Sequence, residues 1–250
     1  MRGTPVSRKG AFRAGTSGYQ YPHWRNVLYP EGLPQKEWFG RYAEEFDTVE
    51  INNTFYNLPA AKTFDAWRRR APDGFLYVLK FSRYGTHLKH LKSPDRTIPL
   101  FLDRAERLKE HLGPILVQLP PHWKPDIERL NAFLDKAPAR RQWAVEFREE
   151  SWLTDEVFEV LRSHDAALCV QDLLEDHPRV LTTDWAYVRY HGASGAKYAG
   201  RYSYQYLSAE ARRIQEWLED GIDVFAFFNN DAHGHAVKNA SALRRYVDSA

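Results

Sequence analysis

Trp143-Ala144-Val145-Glu146-Phe147-Arg148 is the stretch on which the fold turns. Side chains of an extended strand alternate between two sides, so Val145 and Phe147 face one way and Glu146 and Arg148 the other. The apolar side suits the underside of a layer of helices. The charged pair falls at the last positions of the run, which in a barrel of parallel strands is the end that carries active sites.

The arrangement recurs along the chain. Short apolar or β-branched runs alternate with longer segments of helical period, at Phe12–Gly18, Thr48–Asn52, Phe75–Phe81, Ile115–Leu119, Trp143–Phe147, Ala167–Gln171, Ala186–His191 and Val224–Asn229. The second run sends Val49 and Ile51 outward and Glu50 and Asn52 inward. The third sends Leu79 and Phe81 outward and Lys80 inward, and the seventh sends Val188 and Tyr190 outward with Arg189 and His191 inward. Between the runs, apolar residues three or four apart give helices a sticky face: Trp38, Tyr42 and Phe46, then Phe101, Ala105, Leu108 and Leu112. Start signals at Asp126, Thr154 and Ser208 precede further stripes, and Gly221 marks a stop. Residues 172–184 hold Pro178 and little periodicity.

Eight βα units without a linker or compositional break close most simply into one barrel. The expected fold is α/β, a single (β/α)8 TIM barrel over residues 11–250 with a degenerate sixth helical connection. Residues 1–10 are expected to form a flexible basic tail. An open doubly wound sheet is the rival, but no Gly-x-Gly-x-x-Gly follows the first run.

Composition narrows the function classes. A net charge of +2 lacks the basic excess that would announce a nucleic-acid binder. The one cysteine, Cys169, lies in an apolar run, which excludes an internal disulfide and a cysteine metal site and suits a reducing cytoplasm. The first ten residues are neither a signal peptide nor an anchor, and no apolar run is long enough to span a membrane. Oligomeric state is not legible.

The inward residues at the run ends should converge on Glu50, Lys80, Gln118, Glu146, Arg148, Arg189 and His191, with Asn229 at the eighth. Two carboxylates against one lysine and two arginines leave a positive surplus, which invites an anion. A structural salt-bridge network filling the mouth is the bland alternative. Barrel cores are normally closed by Val, Ile and Leu, so ionisable groups on several strand ends favour a site.

These residues sit in motifs that resemble the YecE-like family, a widespread domain-of-unknown-function family. The motifs are Gly15-Thr16-Ser17-Gly18-Tyr19 with Trp24, Val49-Glu50-Ile51-Asn52-Asn53-Thr54-Phe55-Tyr56, Lys80-Phe81-Ser82-Arg83, Gln118-Leu119-Pro120-Pro121, Val145-Glu146-Phe147-Arg148, Arg189-Tyr190-His191-Gly192 and Phe228-Asn229-Asn230-Asp231. The resemblance runs from about Gly15 to Tyr246. It implies a (β/α)8 barrel and supplies no reaction. Glu149 departs from the family's usual histidine at that place.

The leading expectation is an enzyme doing general acid–base chemistry, without metal or other cofactor, on a small polar, anionic substrate. Glu50, Lys80, Glu146 and His191 are the candidate catalytic groups. Arg148 and Arg189 are candidate anion clamps, and Asn52, Tyr56, Gln118, Asn229, Tyr198 and Tyr202 candidate substrate contacts. Two arginines beside Lys80 would lower its pKa and two carboxylates would raise it, so the direction stays open. One alternative is a metal-dependent hydrolase using Glu146, Asp172, His191 and Asp231. Another is a nucleic-acid or phosphate-backbone binder using Arg83, Lys89 and Lys92 with Tyr198, Tyr202, Tyr204 and Tyr206, tyrosines that would otherwise pack as a lid.

Overall fold

A computed structural model describes residues 8–193 and 199–249. Its eight strands are β1 (Phe12–Thr16), β2 (Thr48–Ile51), β3 (Leu76–Lys80), β4 (Leu112–Gln118), β5 (Trp143–Glu146), β6 (Ala166–Gln171), β7 (Trp185–Tyr190) and β8 (Asp223–Phe228). All pair in parallel, in the order β1-β8-β7-β6-β5-β4-β3-β2. The ring closes between β1 and β2 through a single bridge, Ser17 to Glu50, where Gly18 N donates to Glu50 O at 2.8 Å. Gly15 permits this close approach, because a Cβ there would collide with the backbone carbonyl of Thr48.

Helices α1 (Trp38–Glu45), α2 (Asn53–Tyr56), α3 (Ala61–Arg70), α4 (Pro94–Ala105), α5 (Ile127–Lys136), α6 (Asp155–Ser163), α7 (Tyr204–Glu219) and α8 (His235–Asp248) surround the strands. None of the described helices is long and apolar enough to cross a membrane. Residues 172–184 carry no helix, as their missing period implies. Asp126 and Thr154 cap α5 and α6 by accepting from Arg129 N at 3.1 Å and Val157 N at 3.4 Å.

Two boundaries differ from the sequence reading. Ser203, not Ser208, caps α7 by accepting from Tyr206 N at 3.1 Å, so Tyr204 and Tyr206 lie on its first turn and not in a loop. Leu112 opens β4 instead of ending a helical stripe, because a turn over Glu106–His111 breaks the helix at Lys109, whose φ is +52°. Of the expected tail, residues 1–7 lie outside the described residues. Arg8 pairs with Asp223 at 2.6 Å and Gly10 N donates to Leu218 O at 2.7 Å.

Strand alternation sorts the core into two apolar layers. Val49, Ile51, Leu79, Phe81, Val145, Phe147, Val188 and Tyr190 face the helices. Val78, Leu116, Ala144, Ala167, Cys169, Trp185, Tyr187, Phe225 and Phe227 fill the barrel interior. Each fully buried Val, Leu or Phe contributes about 1.5–3 kcal/mol relative to exposure. Along β3, β5, β6 and β7 the inward sequence runs from apolar to polar: Val78 then Lys80, Ala144 then Glu146, Cys169 then Gln171, Tyr187 then Arg189. On these four strands the lower inward positions are therefore apolar, and their charged residues fall at the end where strands hand over to loops.

Candidate functional site

Arg189 stands at the centre of that end, 1% exposed. Its NH2 donates to Glu50 Oε1 at 2.7 Å, and its NH1 pairs with Glu146 Oε2. Strands two and five are far apart in the ring, yet one guanidinium on β7 reaches the carboxylates of both. Glu50 Oε2 accepts from Tyr187 OH at 2.7 Å, so both of its oxygens are engaged and the residue is fully buried.

Arg148 forms the second layer. Its Nε pairs with Glu146 Oε1 and its NH2 donates to Gln118 Oε1 at 3.1 Å. The same Gln118 oxygen accepts from Lys80 Nζ at 2.7 Å. Two cations on one oxygen fix the amide's orientation, since its NH2 could face neither. Lys80 Nζ also lies 4.3 Å from the centre of the Phe55 ring. Among the described residues no carboxylate is within ion-pair distance of Nζ.

His191 is oriented by a residue that the strand pattern alone does not pick out. Asp172 Oδ1 accepts from the His191 backbone N at 2.8 Å and lies 3.3 Å from its Nδ1. Nε2 meets Arg148 NH2 and Arg189 NH1, each at 3.2 Å. These partners assign the tautomer: Nδ1 carries the proton and Nε2 accepts. Nε2 is also 3.5 Å from Glu146 Oε1, a contact that becomes attractive only when the ring takes a second proton. Behind Asp172, Tyr202 OH donates to Oδ2 and accepts from Gly192 N at 2.6 Å.

Burial and charge set the protonation states. For Glu50 and Glu146, burial is the largest influence and pushes the pKa up, but the guanidiniums outweigh it. Glu50 is held below the usual carboxylate range and Glu146 well below it. For Lys80, burial and the Arg189 charge push the ammonium down, and Glu146 and Glu50 offset only part of this. The group titrates at about 7.

Glu50, Lys80, Gln118, Glu146, Arg148, Arg189 and His191 thus meet in one network. Among the described residues the expected positive surplus is not there, because Asp172 brings a third carboxylate against the three cations. Asn52 and Asn229 sit half-buried just past β2 and β8. Asn52 lines a cleft of about 180 Å³ with Tyr21 and Trp67, where its Oδ1 has no hydrogen-bond partner among the described residues. Tyr56 stands on the rim, 76% exposed. Tyr198 lies outside the described residues. Tyr202 is 3% exposed and stacks on Tyr206 with ring centres 4.8 Å apart. A cleft of about 600 Å³ between α1 and α8 is on the outer wall away from these groups.

The four acids and bases weighed as metal ligands do not gather. Glu146 and Asp172 flank His191 from different sides, and Asp231 pairs with His23 at 3.4 Å. Among the described residues, no three His, Cys, Asp or Glu side chains are grouped to hold a metal ion. Asp172 and Tyr187 are the site residues the pattern underweighted. Tyr187 lies two before Arg189 on the same inward face, so alternation does place it there. Its aromatic ring reads as core filling, and only its hydroxyl reaches Glu50.

The fold and its motifs have relatives. The chain is 24% identical to the UPF0759 protein YunF of Bacillus subtilis (strain 168), over 88% of this chain and 90% of that protein. A DUF72 family protein from Thermotoga maritima MSB8 superposes with a TM-score of 0.84 at 29% identity, covering 96% of this chain and 100% of that one. A DUF72 family protein from Enterococcus faecalis V583 shares the fold at 19% identity, with a TM-score of 0.80 and 96% of each chain covered. The narrower name YecE-like rests on motif resemblance. Matched over residues 13–250 by the model described as "Protein of unknown function DUF72", the chain belongs to the DUF72 family.

Proposed function

We propose that this barrel is an enzyme doing general acid–base chemistry on a small polar substrate with an anionic group, with Lys80 as the proton-transfer residue. The observation that carries this reading is the contrast between Lys80 and its neighbours. Glu50 and Glu146 are committed to guanidiniums, whereas Lys80 Nζ is held by Gln118 Oε1 at 2.7 Å and the face of Phe55. An amine titrating near neutral pH both takes and gives protons at useful rates.

The other groups then divide by depth. Glu50, Glu146 and Arg189 form a buried frame that fixes Arg148 and His191. Lys80 and Arg148 are the cations nearest the mouth, with 7% of Lys80 and 9% of the Arg148 side chain exposed against 1% for Arg189. They are the anion contacts, assisted at longer range by exposed Arg83, Lys89 and Lys92 on the loop after β3. His191, oriented by Asp172, helps hold Arg148 in place through Nε2 at 3.2 Å. Asn52, Asn229 and Tyr56 offer the substrate its neutral contacts.

Thermal-shift titration with inorganic phosphate, pyruvate and glycerol 3-phosphate tests this. At a ligand concentration of about 100 times Kd the native state gains about 2.7 kcal/mol. A rise in Tm for wild type that is lost in Arg148→Ala and Lys80→Met supports the reading, and equal shifts in all three proteins overturn it.

A nucleic-acid reading has its own support, from Tyr56 and Tyr84 at 76% and 50% exposure beside Arg83 and Lys89. Salt-sensitive binding of a single-stranded oligonucleotide that is unchanged by Lys80→Met would favour it.

A further inference from the structure

We propose that Lys80 is also a nucleophile, forming an imine with the carbonyl carbon of a 2-oxo acid. The inference rests on the reading of Lys80 as the reactive group of this site and adds a covalent step and a substrate class.

Three features of the geometry carry it. First, Nζ ends an inward column whose lower member is Val78, so the amine stands above an apolar position. Second, the amine is 7% exposed and lies beside the Arg189 and Arg148 charges, which together disfavour the ammonium, while two contacts fix where it points. The Phe55 ring covers one side at 4.3 Å, and that ring is fixed edge-on against His87 with ring centres 5.0 Å apart. On another side Gln118 Oε1 accepts one N–H, and Arg148 holds that oxygen in place. Burial of the side chain to 7% exposure also limits the access of water that would reverse the imine. Third, Lys80 Nζ and Arg148 NH2 share one acceptor atom, at 2.7 and 3.1 Å. The nucleophile and the anion's counter-charge are thus within the span of a three-carbon 2-oxo acid, whose carboxylate is one bond from its carbonyl carbon.

The step balances without a redox partner. The amine lone pair adds to the carbonyl carbon while the C=O π pair moves to oxygen. The nitrogen gives that oxygen one proton, a second comes from solvent, and the nitrogen pair expels water to leave a protonated C=N. This cation withdraws electrons from a bond at the neighbouring carbon. At pH 7 roughly a thousand-fold more of such an amine is unprotonated than of an ordinary lysine.

Incubation with pyruvate and sodium cyanoborohydride, followed by peptide mass mapping of the full chain, tests the proposal. The expected result is a reduced adduct on Lys80, favoured over exposed Lys89 by roughly a hundred-fold at pH 7. Glyoxylate should behave alike, and Lys80→Arg, which keeps the charge, should give no adduct at that position. Mapping of wild type needs no variant to fold. If pyruvate raises Tm but adducts fall only on exposed lysines, the covalent step is overturned and the acid–base reading stands. If neither an adduct at Lys80 nor a thermal shift is seen with any anion of the panel, both are overturned.

Discussion

Lys80 is the residue at which stability and function pull apart. In the folded chain it titrates at about 7, against an ordinary value of 10.5. Between those pH values the unfolded chain binds one more proton than the folded chain, so stability rises with pH across the window. Below pH 7 both states are protonated and the folded state bears the full cost of a buried ammonium. Lys80→Met is therefore expected to stabilise the protein by about 1–4 kcal/mol below pH 7, fading toward pH 10. Gln118 Oε1 keeps its bond from Arg148 at 3.1 Å, so the substitution leaves no orphaned acceptor there. Urea denaturation of both proteins at pH 6 and pH 10 checks it, and an equal or lower stability of the variant at pH 6 would contradict it. The position of Lys80 was legible from alternation in β3. The direction of its pKa was not, because it depends on burial and on which neighbour lies nearer, and both are properties of the closed ring.

At the scale of elements, the strands were easier to read than the helix starts. A strand in this fold carries its signal in each side chain, out toward helices or in toward the axis, so eight runs were recognisable with ends within a few residues. Helix α7 was harder. Ser203 and Ser208 are both plausible caps, and Tyr204 and Tyr206 between them resemble a loop in composition. The aromatic stack decides: Tyr202 lies against Tyr206, and Tyr190 meets Tyr202 edge-on with centres 5.7 Å apart, which winds the first turn onto the barrel. Ser203→Ala is expected to cost about 1 kcal/mol by removing the cap. Ser208→Ala, in the helix interior, is expected to fall within about 0.5 kcal/mol of wild type. The reverse order in thermal melts would place the helix start wrongly. The tie between Tyr202 and Asp172 is equally invisible in sequence, since it joins two loops through side chains whose spacing follows no period.

At the scale of the whole molecule, a ring of parallel strands brings the charged network together across 141 positions of chain, from Glu50 to His191. Convergence was readable because Glu50, Lys80, Glu146 and Arg189 each fell at the same end of their strands. The charge balance was not, since Asp172 sits on the irregular connection after β6, where no alternation applies. The result is a near-neutral buried frame with one amine left at its edge. Heteronuclear NMR following the ε-methylene of Lys80 across pH 5 to 11 tests that arrangement most directly. A midpoint near 7 is the expected result; a midpoint close to that of an ordinary lysine, near 10.4, would contradict it.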